Sequence, residues 1–320
     1  MIALVIGGPA TDDPPGRRRG TGVRVALFAS GGEIPARALR ALRDATSVVA
    51  VIRPRPPLAL SGTLRRATRW LVRGRGAPDD LSMLAADLGV PEWEMAGAAD
   101  PSVPCRMRAE RIDFACVATF PWRLPPAVLD TPRFGVVNVH ASLLPRHRGP
   151  NPWFWTYHSD DREAGVSVHR CEARVDAGPI LAQSRWPLPR GHPVARLHDE
   201  VAAGGATLLP AVLARAEDLS TFARPQDEAT ATRAPRVPPR TRMLDSQWGS
   251  ERTWHFLAGL VGQYREPLHA AGRPLLYARV PEFELTAPRA TPGSIDRDGA
   301  SRAWRLWCHD GFVRLMESGA

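Results

Sequence analysis

The run Gly135-Val136-Val137-Asn138-Val139-His140-Ala141-Ser142-Leu143-Leu144-Pro145 decides how the rest of the chain is read. Val136, Val137 and Val139 are β-branched and apolar, so 135–140 reads as a short strand. Side chains on a strand alternate between faces, which puts Asn138 and His140 on the same one. Ser142, Pro145 and the Arg146-His147-Arg148-Gly149 run then turn the strand into a loop that cannot continue the sheet. Downstream, GVSVHRCEARVDAGPI (165–180) supplies another strand at 166–171, and Asp176 sits in a turn-like setting before an apolar strand at 180–186. An amide, an imidazole and a carboxylate brought to one point can perform acyl transfer. The amide holds a developing oxyanion, the imidazole moves protons, and the carboxylate orients the imidazole.

Working outward, 23–28 reads as a strand, Gly31-Gly32 as a turn, 35–43 as a helix and 48–52 as a buried strand. A helix at 79–88, a short strand near Val90 and an apolar strand at 113–119 follow. This β-α-β alternation predicts an α/β fold, a Rossmann-like, mostly parallel sheet with helices on both faces. The glycine pair is not a G-x-G-x-x-G fingerprint, so a nicotinamide cofactor is not supported. A long helix is expected at 192–215, and 221–239, dense in Pro, Thr, Arg and Asp, reads as a linker. After a helix at 254–261 come short strand-like runs at 275–280, 283–285, 304–308 and 312–316, the pattern of a small OB-like β-barrel. The expected organisation is a flexible extension at 1–22, a catalytic domain at 23–216, a linker at 217–246 and the barrel at 247–320.

The chain has 320 residues and a formal net charge of +9, and it contains no lysine, so its basic side chains are all arginine. The bland reading is a compositional bias; the sharper one is a phosphate-bearing partner, since arginine binds phosphate bidentately. The densest basic run, Arg65 to Arg75, reads as a surface helix or a basic loop near a substrate. Cys105, Cys116, Cys171 and Cys308 form no C-x-x-C pair, which argues against a zinc site and a disulfide framework. No apolar run approaches the roughly eighteen residues of a membrane span. MIALVIGG at the start lacks the basic flank of a signal peptide, and a cytoplasmic location is expected.

Asn138-x-His140-x-Ser142-Leu143-Leu144-Pro145, with Arg148-Gly149 after it and Asp176-x-Gly178 downstream, resembles the signature of the folate-dependent formyltransferases. That family includes methionyl-tRNA formyltransferase, the sugar-nucleotide N-formyltransferases, the glycinamide ribonucleotide enzyme and the formyltetrahydrofolate hydrolases. The resemblance implies N10-formyltetrahydrofolate as donor and a primary amine as acceptor. It also implies Asn138, His140 and Asp176 as the catalytic trio, with Asp176 raising the His140 pKa. Phe120, Trp122, Leu124, Val139 and Asp176 are the expected donor-binding residues, and Ser142, Pro145, Gly149 and Gly178 the supporting loop positions; no metal is implied. His169 reads as a structural histidine, and the aromatics at 153–157 as packing.

The acceptor is left open between charged initiator tRNA and a small amine such as an amino-sugar nucleotide or a secondary metabolite. Arg53-Pro54-Arg55-Pro56-Pro57 begins like the tRNA-contacting loop of the tRNA-formylating members and then departs from it. Gly149-Pro150-Asn151-Pro152 stands where those members carry small residues, and their proline-tryptophan-proline string is absent around 266–267. A hydrolase of formyltetrahydrofolate and a catalytically silent nucleic-acid-binding protein are the remaining alternatives. The second needs an aromatic and basic stripe that the C-terminal segment lacks.

Overall fold

The computed structural model describes residues 3–6, 22–55, 80–237, 244–245, 247–263, 268–270, 273–275, 277–299 and 303–317. The basic run at 65–75 lies outside these residues, as do most of the N-terminal extension and the end of the linker.

The large sheet comprises β1 (Ala3–Ile6), β2 (Arg24–Ala29), β3 (Ser47–Pro54), β4 (Glu92–Met95), β5 (Phe114–Ala118), β6 (Val136–His140), β7 (Glu163–Arg170) and β8 (Ile180–Pro187). Its spatial order is β1-β8-β7-β6-β5-β2-β3-β4. From β4 through β6 all pairs are parallel, as the sequence alternation dictates. Beyond β6 the sheet continues antiparallel through β7, β8 and β1. Chain order runs outward from β2 to β4 and then resumes on the other side of β2 with β5, so the topological switch point lies between β2 and β5. Ligands of open α/β sheets bind at the carboxyl ends of the strands beside such a point.

The helices that cover the sheet are α1 (Glu33–Ala45), α2 (Asp80–Asp87), α3 (Ser102–Ala109), α4 (Pro126–Leu129), α5 (Pro152–His158), α6 (Val194–Leu213) and α7 (Leu219–Phe222). Strand β2 shows why both faces are covered. Val25, Leu27 and Ala29 join one core with Leu39 and Leu42 of α1 and Leu208 and Val212 of α6. Ala26 and Phe28 turn the other way, against Val103 and Met107 of α3 and Val128 of α4. Residues buried on both sides make the near-continuous apolar run of a central parallel strand. Truncating Phe28 to alanine in such a core costs about 3–5 kcal/mol.

One expectation is corrected at the amino end. Ala3–Ile6, expected within a flexible extension, pairs antiparallel with β8 and closes the edge of the sheet. Leu-Val-Ile is a sequence suited to a pleated edge, and the charged breaker-rich stretch that follows it masked that signal. A second finding concerns the linker. Residues 224–235 do not hang free: Arg224 exchanges two main-chain hydrogen bonds with Ile180, at 2.8 and 2.9 Å, and Arg148 and Ala234 are joined main chain to main chain at 2.7 Å.

The C-terminal unit begins with α8 (Ser250–Leu260) and continues as β9 (Leu268–Ala270), β10 (Arg273–Leu275), β11 (Tyr277–Arg279), β12 (Phe283–Leu285), β13 (Ile295–Arg297), β14 (Ala303–Cys308) and β15 (Gly311–Glu317). These strands pair antiparallel as a small barrel-like unit, in the order β11-β15-β14-β13 with β12 on β15 and β9 paired to β10. Helix α8 joins it to the large domain. Phe256 packs edge-on against Phe154 at 5.5 Å, and the Gly191 N–H donates to His255 Nδ1 at 2.9 Å. Trp254 covers Gly191, and the ring of Tyr157 fills the space a side chain on Gly259 would need.

Candidate active site

Strand β6 ends at the carboxyl edge of the sheet, where Asn138 and His140 share one face and converge on a single carboxylate. Asn138 Nδ2 lies 3.5 Å from Asp176 Oδ1, and His140 Nδ1 lies 3.7 Å from Asp176 Oδ2. Asp176 comes from the turn between β7 and β8 and adopts φ 52°, the left-handed region that a residue with a Cβ enters rarely. The Gly149 N–H donates to its Oδ2 at 2.8 Å. Amide, imidazole and carboxylate are therefore assembled at one point from three separate segments.

The ring of His140 is oriented by its other nitrogen. Nε2 lies 2.9 Å from the main-chain carbonyl of His147. A carbonyl only accepts, so Nε2 carries the proton and Nδ1, facing Asp176, is bare. His147 is itself fixed: its Nε2 meets Asp161 Oδ2 at 2.8 Å, its N–H donates to Thr232 Oγ1 at 2.8 Å, and its φ is 59°. Both His147 and Asp161 are buried.

Burial lowers the His140 pKa below its ordinary value of 6.5 and outweighs the opposing pull of the Asp176 charge. Asp176 does raise it, as expected, but the net shift is downward, because the ring is almost wholly removed from water and the charged form loses its hydration. For Asp176 burial acts in the opposite sense, favouring the neutral acid. His140, His169 and the Gly149 N–H outweigh it and hold the carboxyl well below the usual carboxylate range. The state consistent with the geometry is neutral His140 beside an ionised Asp176, because the Gly149 N–H supports the carboxylate whatever the charge on the ring.

His169, expected to be structural, stands directly across from Asn138 on β7. Its Nδ1 lies 2.9 Å from the Arg170 carbonyl, which fixes the proton there and leaves Nε2 as an acceptor. Asn138 Nδ2 donates to that Nε2 at 3.1 Å. One amide proton of Asn138 is thereby anchored, and the amide plane with it. The Nε2 of His169 is also 3.5 Å from Asp176 Oδ1, but with Nδ1 protonated the shorter contact to Asn138 is the hydrogen bond. His147, His169 and Gln226 are the residues around this point to which the sequence reading gave no part in the site; His169 it read as structural. For His169 the available signal was its place on the strand following the key one; the others act through loops with no periodicity to read.

The supporting positions act as follows. Ser142 Oγ donates to the Arg146 carbonyl at 2.7 Å, tightening the loop after β6. Ser167 and Gln183 hold the same loop, through Ser167 Oγ to Ser142 O at 2.6 Å and Gln183 Nε2 to Leu144 O at 2.9 Å. The Leu144-Pro145 bond is cis, and the Pro145 carbonyl accepts from the Thr232 N–H at 3.2 Å. Gly149 has φ 130°, and a Cβ there would lie 2.5 Å from the Ala234 carbonyl oxygen. Gly178 passes so close to the Arg170 carbonyl that no side chain fits.

The expected donor-binding residues divide. Phe120, Trp122 and Leu124 are partly buried at the carboxyl end of β5, with Phe120 edge-on to both Phe28 (5.3 Å) and Trp122 (5.5 Å). Between them Arg123 reaches the Ala173 carbonyl and ties this apolar rim to the Asp176 turn. These side chains form a half-buried apolar wall at the end of β5, on the second core of the sheet. Val139 does not belong to this group: it faces the opposite side of β6, where its Cγ1 lies against Gly205 of α6. Period-two alternation sends it to the core whenever its two neighbours face the site.

Comparison with known proteins gives the family and the fold. The formyl transferase family model matches residues 24–213. The methionyl-tRNA formyltransferase of Synechococcus sp. (strain JA-3-3Ab) is 32% identical over 259 residues, covering 78% of this chain and 79% of that protein. The methionyl-tRNA formyltransferase of Methylococcus capsulatus is 34% identical over 250 residues, covering 76% and 79%. Among solved structures, the N-formyltransferase from Helicobacter canadensis in complex with folinic acid and dTDP-3-aminofucose shares the fold. Its TM-score is 0.63 at 13% identity, over 93% of this chain and 99% of that one.

Proposed function

Because the chain belongs to the folate-dependent formyl transferase family, we propose that it formylates the α-amino group of a methionyl-tRNA through Asn138, His140 and Asp176. The enzyme uses N10-formyltetrahydrofolate as donor. When bound, the donor supplies an electrophilic formyl carbon; the side chains supply charge stabilisation and proton movement. Asn138, one amide proton anchored on His169, can turn the other from its long 3.5 Å contact with Asp176 to the oxygen that gains negative charge as the amine adds. Donors of this kind are worth about a hundred- to a thousand-fold in turnover. His140 Nδ1, bare and facing the site, accepts the proton that the amine nitrogen gives up. The ionised Asp176 stabilises the imidazolium so formed, and that proton then neutralises the departing nitrogen.

The observation that carries the tRNA acceptor is the kinship with methionyl-tRNA formyltransferases, which spans 78% of the chain and so extends past the catalytic domain. Arg233 and Arg236 support it, exposed on the segment that runs beside the Arg148–Gly149 loop. A second reading, transfer to a small amine, is favoured by Gly149-Pro150-Asn151-Pro152. Trp155 Nε1 donates to the Pro235 carbonyl at 2.9 Å, and the Asn151 amide lies against 235–237 in either orientation.

Salt separates the two. Affinity for charged initiator tRNA falls with the logarithm of salt at a slope of about −0.7 to −0.9 per phosphate contact. A steep slope that becomes shallower in the Arg233→Ala, Arg236→Ala double variant supports the tRNA acceptor. Transfer to small amines with no formylation of charged initiator tRNA at any salt overturns it.

A further inference from the structure

Segment 224–235 touches both loops that build the catalytic point, and one side chain on it is bonded to each. Gln226 Nε2 donates to the Asp176 carbonyl at 2.8 Å and to the Gly178 carbonyl at 2.7 Å. Its Oε1 accepts from Arg148 Nε at 2.9 Å. Arg148 precedes Gly149, whose N–H holds the Asp176 carboxylate. The Arg148 side chain is 1% exposed and is paired with Glu228 Oε1 at 3.0 Å, so it is a fixed point. Its hydrogen bonds to Glu228, with those of Arg174, hold that carboxyl down to about 2.

We infer that Gln226 is a positioning residue for Asp176, so that the segment joining the two domains is a working part of the active site. The inference rests on the reading of Asp176 as the catalytic carboxylate. Asp176 occupies a left-handed conformation that is unfavourable for a residue with a Cβ, and it persists only where the surroundings over-determine it. Gln226 grips the carbonyls of Asp176 and of the residue two beyond it, the two handles that set the direction in which the side chain leaves the turn. A primary amide suits this position, because it has two N–H donors for two carbonyls and an oxygen for the guanidinium. Glutamate of the same shape has no N–H to give, and methionine has neither group. The segment is itself pinned by the main chain: the Arg148 N–H donates to the Thr232 carbonyl (2.9 Å) and the Ala234 N–H donates to the Arg148 carbonyl (2.7 Å). Gln226 is therefore held from behind as well as bonded in front.

The test is made on the full chain with Gln226→Met and Gln226→Glu, alongside Asp176→Ala. Turnover of Gln226→Met should fall roughly ten- to a hundred-fold, the scale of a small misplacement of a reacting group. The KM for the formyl donor should stay within about threefold of wild type and the Tm within a few degrees. Two readouts separate positioning from a merely structural role. The acid limb of the pH–rate profile should move to lower pH, because a carboxylate shifted away from His140 no longer supports its charged form. The ¹H–¹⁵N signal of the Gly149 amide should lose its hydrogen-bonded position, as in Asp176→Ala. Should Gln226→Met fail to fold, Gln226→Glu keeps the Arg148 bond, sets a carboxylate oxygen against the two carbonyls in place of the donors, and carries the same expectations for turnover and for the Gly149 signal. Wild-type turnover and an unmoved Gly149 signal in a folded Gln226 variant, with Asp176→Ala inactive, overturn the inference. An active Asp176→Ala removes the underlying reading of Asp176 instead, and the Gly149 signal then decides the positioning by itself.

Discussion

His140 and His147 are joined by one hydrogen bond, from the Nε2–H of the first to the main-chain carbonyl of the second at 2.9 Å, and that bond decides which nitrogen of His140 meets the substrate. The ¹⁵N spectrum of His140 near neutral pH should show the neutral Nε2–H tautomer. Since burial lowers its pKa, kcat/KM should lose a single protonation-dependent factor only below the ordinary histidine value of about 6.5. In Asp176→Asn the carboxylate that raises the His140 pKa is gone, so the acid limb should move further down. A limb that moves up would show that Asp176 is not the group acting on His140.

Asn138 should depend on His169 for its orientation. His169→Phe keeps a ring but removes the acceptor of the Asn138 N–H, and turnover should drop about tenfold or more; His169→Gln, which can still accept, should recover part of it. Asn138→Ala should lose about a hundred- to a thousand-fold. Equal rates for the phenylalanine and glutamine variants would assign His169 to packing alone.

Gly149→Ala should be costly for two reasons that can be separated. The positive φ costs about 1–2 kcal/mol for any residue with a Cβ, and the added methyl meets the Ala234 carbonyl oxygen. Gly262→Ala has a positive φ and open space around it, so it measures the first effect by itself. Urea unfolding should place Gly149→Ala below Gly262→Ala in stability, and Gly149→Ala alone should also lose turnover, since the methyl pushes the segment carrying Gln226.

The seam between the domains should weaken in acid. Burial first, then Arg190, brings the His255 pKa down to about 4. The unfolded chain takes up a proton near 6.5, whereas the folded one resists until about 4, so the stabilising contribution is complete above 6.5. It is lost as pH falls towards 4, by an amount on the order of 3 kcal/mol. His255→Phe should flatten that part of the pH–stability curve. An unchanged slope between pH 6.5 and 4 would place the acid sensitivity elsewhere.

The catalytic strand was legible because it combines β-branched residues with a strict alternation, and the same rule corrects Val139, which sits between the two site residues and so must face away from them. The parallel core was legible for a related reason: doubly buried strands leave uninterrupted apolar runs such as 24–29. What was not legible depends on contacts between segments far apart in sequence. The register that sets His169 against Asn138 is a property of the strand pair, and the sign of the His140 shift follows from how deeply loops 142–149 and 174–178 bury the ring. Segment 224–235 reads as a linker by composition because prolines and threonines have no period, yet its main chain bonds loop 142–149 and its Gln226 side chain bonds loop 174–178. Edge strand β1 is four residues long, too short to stand out beside the charged stretch after it.

The seam at Gly191, Trp254, Tyr157 and Gly259 has a mechanical consequence. Two glycines let aromatic rings lie flat against main chain on opposite sides of the boundary, one ring contributed by each domain. Any sliding of the barrel over the large domain would disturb both ring-on-backbone contacts at once, so the two glycines couple the halves of the boundary to each other.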